Sequence, residues 1–237
     1  MSRFRATFAH RHVVLPIINV NSLDQALTNV RIAREAGADG CFLISLGLAS
    51  DDELLDIHAA VRAREPAFWL GINCVGLTLD RLFNRLDPQV SGVWADDALI
   101  DETTTDQPAA LRVQQLQQAR GWQGLYFGGV AFKYQRPVRD VAAAARKASR
   151  YMDLVTTSGP GTGLPAAPEK VRRMKQAIGT TPLALASGVT PENVTDYLAS
   201  ADCFLVSTGI SSTLEDLDPD RIRDLLQVIR TWEDKHP

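Results

Sequence analysis

Hydrophobic and polar positions along the chain form two kinds of segment that alternate. Short runs rich in β-branched and aromatic residues, such as VVLPIINV from Val13 and GLYFGG from Gly124, are each followed by a longer amphipathic run. This alternation indicates βαβ units and a parallel sheet. Eight units can be counted, and the other strand candidates are GCFLIS from Gly40, FWLGINC from Phe68, GVWAD from Gly92, DLVTTS from Asp153, PLALAS from Pro182 and CFLVST from Cys203.

The amphipathic runs begin at residues that favour helix starts. Ser22, Ser50 and Thr78 precede three of them, and a hydroxyl at that position can cap the free N–H groups of a first turn. Proline is favoured at the first helical position, so Pro108, Pro168 and Pro191 predict three further helices. A last helix is predicted from Pro219 to Trp232.

Chain length agrees with this pattern. The chain has 237 residues, and an eight-fold α/β barrel needs about 250. No Pro- or Ser-rich linker interrupts it, and the one polar segment without periodicity, residues 98–107, is predicted to be a long loop after the fourth strand. The sequence therefore predicts an α/β protein, a single (β/α)8 TIM barrel over residues 1–237. Asp39 and Asp202 precede strands and would lie on the N-terminal face, where a structural role is expected.

Charge and composition argue against several classes of partner. The net charge is −3 and the basic residues are scattered, which disfavours nucleic acid. No stretch approaches the roughly 18 apolar residues of a membrane span, and no signal peptide is recognised. Cys41, Cys74 and Cys203 fall in or just after strands and fit no zinc pattern, so we interpret them as buried, reduced thiols of a cytoplasmic protein. A homo-oligomer is compatible with the sequence.

In such barrels the residues just after each strand face the active site. None of the four histidines, His10, His12, His58 and His236, follows a strand, which removes the commonest general base and zinc ligand from the predicted pocket. Proton transfer would then depend on carboxylates or a lysine. No metal site is predicted, no organic cofactor is implied, and the cofactor requirement stays open, with room left for a divalent ion.

Three glycine-containing turns follow the last three strands: TTSGPGTG (156–163), ASGVTPENV (186–194) and VSTGISS (206–212). Glycine lets backbone N–H groups approach an anion, and Ser and Thr add hydroxyl donors. In barrels these loops commonly hold phosphate, although the glycines alone would also suit tight turns. The candidate ligand-binding residues, including two asparagines from other strand ends, are Asn19, Asn73, Thr157, Ser158, Gly159, Gly161, Thr162, Gly163, Ser187, Gly188, Ser207, Thr208 and Gly209.

Three charged residues are candidates for catalysis. Asp96 and Asp97 follow the fourth strand, and if strand geometry persists only one of them can point inward. That residue could be a general base or bind magnesium; both could equally be solvated loop residues that cap a turn. Lys133, after the fifth strand, could hold a phosphate, move a proton or form a Schiff base, or be an ordinary surface lysine.

Several of these segments resemble the BtpA/SgcQ family of TIM barrels. The resemblance rests on LGIN (70–73), on GGVAFKYQRPV (128–138) and on the closing run from residue 153 to residue 211. It implies that Lys133, Gly159 to Gly163, Ser187–Gly188 and Thr208–Gly209 line a pocket. Two segments depart from the family pattern, ISLGLAS (44–50) in place of an acidic-amide motif and GISSTLED (209–216) in place of a lysine-bearing turn, which suggests a divergent member.

These observations lead to two hypotheses. The first is an enzyme of isomerase, lyase or ribosyl-transfer type that binds a small phosphorylated metabolite, with ribose-containing compounds among the candidates. The second is a non-catalytic ligand-binding or assembly factor of the BtpA type, which the loss of the acidic-amide motif after strand two favours; the family is associated with photosystem I biogenesis. A role at the membrane periphery would rest on that association alone, because no basic amphipathic helix supports it.

Overall fold

The computed structural model describes residues 2–236. Eight parallel strands follow one another in sequence order and close into a barrel, with the first strand paired to both the second and the eighth. The predicted (β/α)8 TIM barrel is therefore confirmed. The strands are β1 (Val13–Asn19), β2 (Cys41–Ile44), β3 (Leu70–Asn73), β4 (Gly92–Ala95), β5 (Leu125–Gly129), β6 (Leu154–Ser158), β7 (Leu183–Ala186) and β8 (Cys203–Val206).

Helices cover the outside of the barrel. They are α1 (Arg3–Thr7), α2 (Leu23–Glu35), α3 (Asp51–Arg64), α4 (Leu79–Arg85), α5 (Pro108–Ala119), α6 (Val141–Ala148), α7 (Pro168–Ile178) and α8 (Pro219–Lys235). Ser22, Ser50 and Thr78 cap α2, α3 and α4 as predicted, each accepting a hydrogen bond from a first-turn N–H. The last helix continues three residues beyond the predicted end at Trp232.

The helix predicted from Pro191 is wrong. Only a 3-10 turn, Val194–Asp196, follows β7. Asn193 explains the difference, because its side chain accepts the N–H of Thr190 and donates to the carbonyl of Gly188. Asparagine side chains that bond to nearby backbone compete with helix formation in this way.

The barrel interior is packed with aromatic side chains. Phe42 contacts Trp69, Trp94 and Phe127, with ring centroids 5.1 to 5.9 Å apart. Gly92 makes room for this cluster, since a Cβ at that position would lie 2.5 Å from the ring of Trp69. The interior is thus a core and leaves the strand ends as the place for a binding site.

The N-terminal end of the barrel is closed by α1, which the sequence analysis did not anticipate. Its Phe4 and the following Phe8 are buried with the interior cluster. Arg3 donates to the carbonyls of Gln123 and Gly124, and Arg5 pairs with Asp202. Helix α1 and Phe8 therefore close the barrel at the face opposite the predicted site. No helix within residues 2–236 is long and apolar enough to span a membrane.

Candidate functional site

Polar side chains from several strands meet at the C-terminal mouth of the barrel. Side chains along a strand point alternately to its two faces, so a residue two positions after an interior residue also points inward. Asp96, for example, follows the buried Trp94 at this spacing. The strand ends that share this inward direction are Asn19, Asn73, Asp96, Ser158 and Ser207. The predicted site residues therefore come from strands on all sides of the mouth.

Lys133 reaches across the mouth from the loop after β5. Its backbone N–H donates to Ser158 Oγ at 2.7 Å, and its Nζ donates to Ser187 Oγ at 2.9 Å. The ammonium also lies 5.7 Å from the ring centroid of Phe132. Lys133 is half-buried and joins the loops after β5, β6 and β7, so it is not an ordinary surface lysine.

Asp96 is the acidic counterpart of Lys133. Burial raises the pKa of the Asp96 carboxyl, and the hydrogen bond from Asn73 Nδ2 at 3.1 Å and the positive charge of Lys133 partly oppose that rise. Burial likewise lowers the pKa of Lys133, and the charge of Asp96 opposes the change. The charge of each group affects the pKa of the other, although no direct ion pair joins them within residues 2–236. Their pKa values are displaced toward neutrality, as is typical of acid and base groups at functional sites.

Asp97 points elsewhere. Its side chain is exposed and accepts the N–H of Leu99 at 2.7 Å, which is the turn-capping role considered for this pair. The loop after β5 holds Asp96 in place, because the side-chain amide of Gln135 donates to the backbone carbonyl oxygen of Asp96. The geometry thus selects Asp96 over Asp97 as the inward carboxylate, while a catalytic role for either remains a prediction.

Three of the predicted glycines serve the packing of one loop on another. A Cβ at Gly159 would lie 2.0 Å from the carbonyl oxygen of Leu164, and one at Gly188 would lie 2.3 Å from the nitrogen of Pro165. At Gly209 the carbonyl oxygen of Val189 would be 2.0 Å away. These glycines are needed whether or not an anion binds, which matches the alternative of tight turns. Their phosphate contacts stay a prediction.

The tip of the loop after β6 bridges its neighbours. The N–H of Thr162 donates to the hydroxyl of Tyr134 at 3.2 Å. Gly163, in a left-handed conformation, approaches the hydroxyl of Thr208, and Gly161, at the start of the same tip, is buried. The loops after β5, β6 and β8 therefore form one connected rim of the mouth.

Some predicted ligand-binding side chains are already engaged with the protein. Asn19 Nδ2 donates to the carbonyl of Leu214 at 2.7 Å, and Thr157, fully buried, donates to the carbonyl of Ala131 at 3.4 Å. Ser158 accepts from Lys133 and donates to the carbonyl of Gly159, which uses its hydroxyl proton. Ser187 differs, because its oxygen accepts from the Lys133 ammonium and its own proton stays available to an anion.

Backbone strain is concentrated at this face. The non-glycine residues with positive φ in residues 2–236 are Leu99, Ala131, Tyr134 and Ser187, and all four lie in loops that follow strands. Such conformations cost about 1–3 kcal/mol each and tend to cluster at functional sites. Ser187, with φ of 73°, is the residue that receives the Lys133 ammonium.

Lys170, on α7, is a member of the site that the sequence analysis missed. Its Nζ donates to the carbonyls of Ala131 at 2.6 Å and Ser158 at 2.7 Å, so it ties β6 to the strained residue two positions before Lys133. Burial lowers the pKa of Lys170 to about 8. The helix position gave no signal, because the contact joins residues 39 positions apart.

No family model matches the sequence, and no curated protein is significantly similar to it. Solved structures do superpose on it. Phosphoribosyl anthranilate isomerase from Thermus thermophilus has 16% sequence identity and a TM-score of 0.64, over 93% of this chain and 99% of that one. The native KDPGal structure has 15% identity and a TM-score of 0.70, over 96% and 98%.

A third similar structure is (S)-3-O-geranylgeranylglyceryl phosphate synthase from Thermoplasma acidophilum, in complex with its substrate sn-glycerol-1-phosphate. It has 15% identity and a TM-score of 0.65, over 97% of each chain. At these identities the likeness shows the barrel fold, and the resemblance to the BtpA/SgcQ family is still a prediction.

Proposed function

We propose that the protein is an enzyme that binds a small phosphorylated metabolite at the C-terminal mouth of the barrel. The observation that carries the proposal is the Lys133 ammonium, half-buried, hydrogen-bonded to the strained Ser187 and near the half-buried carboxyl of Asp96. Lys133 and the free hydroxyl proton of Ser187 together offer an anion one positive charge and one neutral donor. Asp96 would be the base.

The displaced pKa values favour proton transfer as the chemistry. A base works best when its pKa is near the operating pH, and burial moves the pKa of Asp96 in that direction. The lowered pKa of Lys133 makes its ammonium a better proton donor. Among the reaction types predicted from the sequence, isomerase and lyase chemistry need such a pair. A ribose-containing substrate and ribosyl transfer have no separate support in the geometry.

Proteins of the same fold support a phosphorylated ligand. The synthase from Thermoplasma acidophilum binds sn-glycerol-1-phosphate as its substrate, and the isomerase from Thermus thermophilus is named for a phosphoribosyl compound. Membership of the BtpA/SgcQ family rests on the lysine motif and the closing loops. A cytoplasmic location is proposed because the cysteines Cys41, Cys74 and Cys203 are free and buried.

The test follows binding and turnover together. Purified protein is incubated with inorganic phosphate, glycerol 1-phosphate, ribose 5-phosphate and other sugar phosphates while melting temperature and product formation are measured. A ligand that prefers the folded state raises the melting temperature. Lys133→Ala and Asp96→Asn are each expected to reduce turnover on the order of 10²–10⁴-fold without loss of folding. Asp234→Asn and Lys235→Ala, exposed changes on α8, are the matched controls.

Each outcome distinguishes one hypothesis. Full activity in both site variants would overturn the assigned roles. A rise in melting temperature without product from any phosphorylated compound would favour the non-catalytic ligand-binding factor. If no compound changes either quantity, the proposal of a phosphate site is wrong.

A further inference from the structure

A cavity of about 460 Å³ lies beside Asp96, on the side of the mouth formed by the ends of β3 and β4. None of the glycine loops contributes to it. Its walls are mainly apolar, and its principal lining side chains are Val75, Leu77, Leu82, Trp94 and Leu99. Proteins close-pack their interiors, so an apolar space of this size next to a candidate reactive group needs an explanation.

Most polar side chains around this cavity already have partners, and the exception is the buried indole N–H of Trp94, which has none within residues 2–236. Asn73 donates to Asp96 at its inner end, and Arg112 pairs with Asp80 at 2.8 Å at its outer edge. Burial raises the pKa of Cys74 to about 12, so its thiol is a neutral part of the wall. Apart from that N–H and the Asp96 carboxylate at the inner end, the walls offer few hydrogen-bond partners to a hydroxylated occupant, whereas an apolar group loses little water by entering.

The cavity lies opposite the predicted phosphate loops. In a closed barrel of eight strands in sequence order, β3 and β4 face β7 and β8 across the mouth. Lys133 contacts Ser187 after β7, and Asp96 stands between that contact and the cavity. A ligand whose phosphate is held by Lys133 and Ser187 would therefore pass Asp96 and extend its other end toward the apolar walls.

The rim of the mouth is apolar as well. Eight large hydrophobic side chains are exposed in residues 2–236, and only Leu111 of these lies on a helix. The other seven lie in loops that follow strands: Leu46, Leu48, Val75, Leu99, Tyr134, Leu164 and Leu214. Val75 and Leu99 belong to both the rim and the cavity. Exposed apolar surface concentrated at one face marks a binding surface.

From these observations we propose that the ligand is amphiphilic: a phosphate ester whose organic part is an alkyl or aromatic group seated in the cavity beside Asp96. This inference rests on the proposed phosphate site and adds the class of substrate. It accounts for an apolar cavity and an apolar rim around one charged contact. A sugar phosphate, hydroxylated along its length, would leave both features without a partner.

Calorimetric titration with methyl, butyl and hexyl phosphate tests the proposal. Burying a methylene contributes about 0.8 kcal/mol, so affinity should rise about fourfold for each added methylene until the cavity is filled. Lys133→Ala should weaken all three esters by the same factor. Hexanol, which lacks the phosphate, should bind more weakly than hexyl phosphate.

A substitution that fills the cavity gives a sharper test of the proposal. Ala109 lies exposed near the start of α5 and lines the cavity, so Ala109→Trp should fill the space without disturbing the core. We expect it to abolish the gain from methyl to hexyl phosphate and to leave methyl phosphate binding unchanged. Ala119→Trp, at the exposed end of the same helix and outside the cavity, is the control and should keep the full gain.

Failure of this inference differs from failure of the proposed function. If methyl and hexyl phosphate bind equally and Lys133→Ala weakens both, the phosphate site stands and the apolar group is wrong. If no ester binds, both proposals fail. If the chain-length gain is absent and Leu48→Ser with Leu214→Ser converts a sedimenting dimer to monomers, the rim is a subunit contact and the amphiphilic ligand is overturned.

Discussion

The two ends of the barrel use charged residues in opposite ways. At the N-terminal end, Asp39, Asp153 and Asp202 each accept the backbone N–H of a neighbouring strand at 2.8 Å and also contact a basic side chain. At the C-terminal end, Lys133 and Asp96 face each other without pairing, and burial shifts both pKa values toward neutrality. The N-terminal end satisfies these three carboxylates, whereas the C-terminal end leaves Lys133 and Asp96 without a direct ion pair.

Backbone conformation follows the same division. The loops after the strands contain the non-glycine residues with positive φ in residues 2–236, and the loops before the strands contain none of them. Strain at one end of a barrel is tolerable when the other end supplies stability. Substitutions at the N-terminal end should therefore act on folding, and those at the C-terminal end on ligand binding.

The largest expected effect is on folding, at Asp202. This carboxylate contacts Arg5, Lys175 and the N–H of Leu183, and only 14% of its side chain is exposed. Asp202→Ala removes one partner from a nearly buried network, which costs about 3–5 kcal/mol. Urea unfolding measures the change. Asp97→Ala, an exposed aspartate at the other end that accepts a single N–H, should cost less than about 1 kcal/mol. Equal losses in the two variants would contradict the division.

The next largest expected effect is a loss of folding stability at acid pH, caused by His58. His58 on α3 is buried near the start of β3, and burial lowers its pKa to about 4. The unfolded state binds the proton near its ordinary value of about 6.5, so stability falls as the pH drops from 6.5 to 4. The total loss is at most roughly 3–4 kcal/mol. The measurement is the difference in unfolding free energy between the protein and His58→Leu across this range. Parallel curves for the two proteins would show that His58 does not titrate as proposed.

Local patterns predicted most of the fold. Alternation of short β-rich and amphipathic runs located all eight strands, and the hydroxyls of Ser22, Ser50 and Thr78 marked helix starts, because capping depends on residues adjacent in the chain. The helix predicted from Pro191 failed because Asn193 bonds to its own loop. Helix α1 was missed because its stability comes from Phe4 in the distant barrel interior.

The site was predictable only in part. Placement of Lys133 and the Asp96–Asp97 pair at strand ends follows from strand positions, and alternation required that one aspartate point inward. The register that turns Asp96 inward and the hydrogen bond from Lys133 to Ser187 both depend on residues that are far apart in sequence. The packing of Gly159, Gly188 and Gly209 against neighbouring loops is likewise a long-range property that a glycine motif does not reveal.

The smallest expected effect is a change in folding stability at alkaline pH, and it is caused by Lys170 at the C-terminal end of the barrel. The pKa of Lys170 is about 8 in the folded protein and about 10.5 when unfolded, so between these values the unfolded state holds more protons. Stability should therefore rise with pH through this window, relative to Lys170→Met, by on the order of 1 kcal/mol after allowance for screening of a partly exposed amine. Unfolding at pH 7.5, 9 and 10.5 measures this change in stability.

Because Lys170 holds the carbonyls of Ala131 and Ser158, Lys170→Met should also weaken methyl phosphate binding through Lys133. Substitution of Lys175, a purely structural lysine at the other end, should not weaken it. Unchanged phosphate affinity in Lys170→Met would separate this lysine from the site and place it with the residues that serve folding alone.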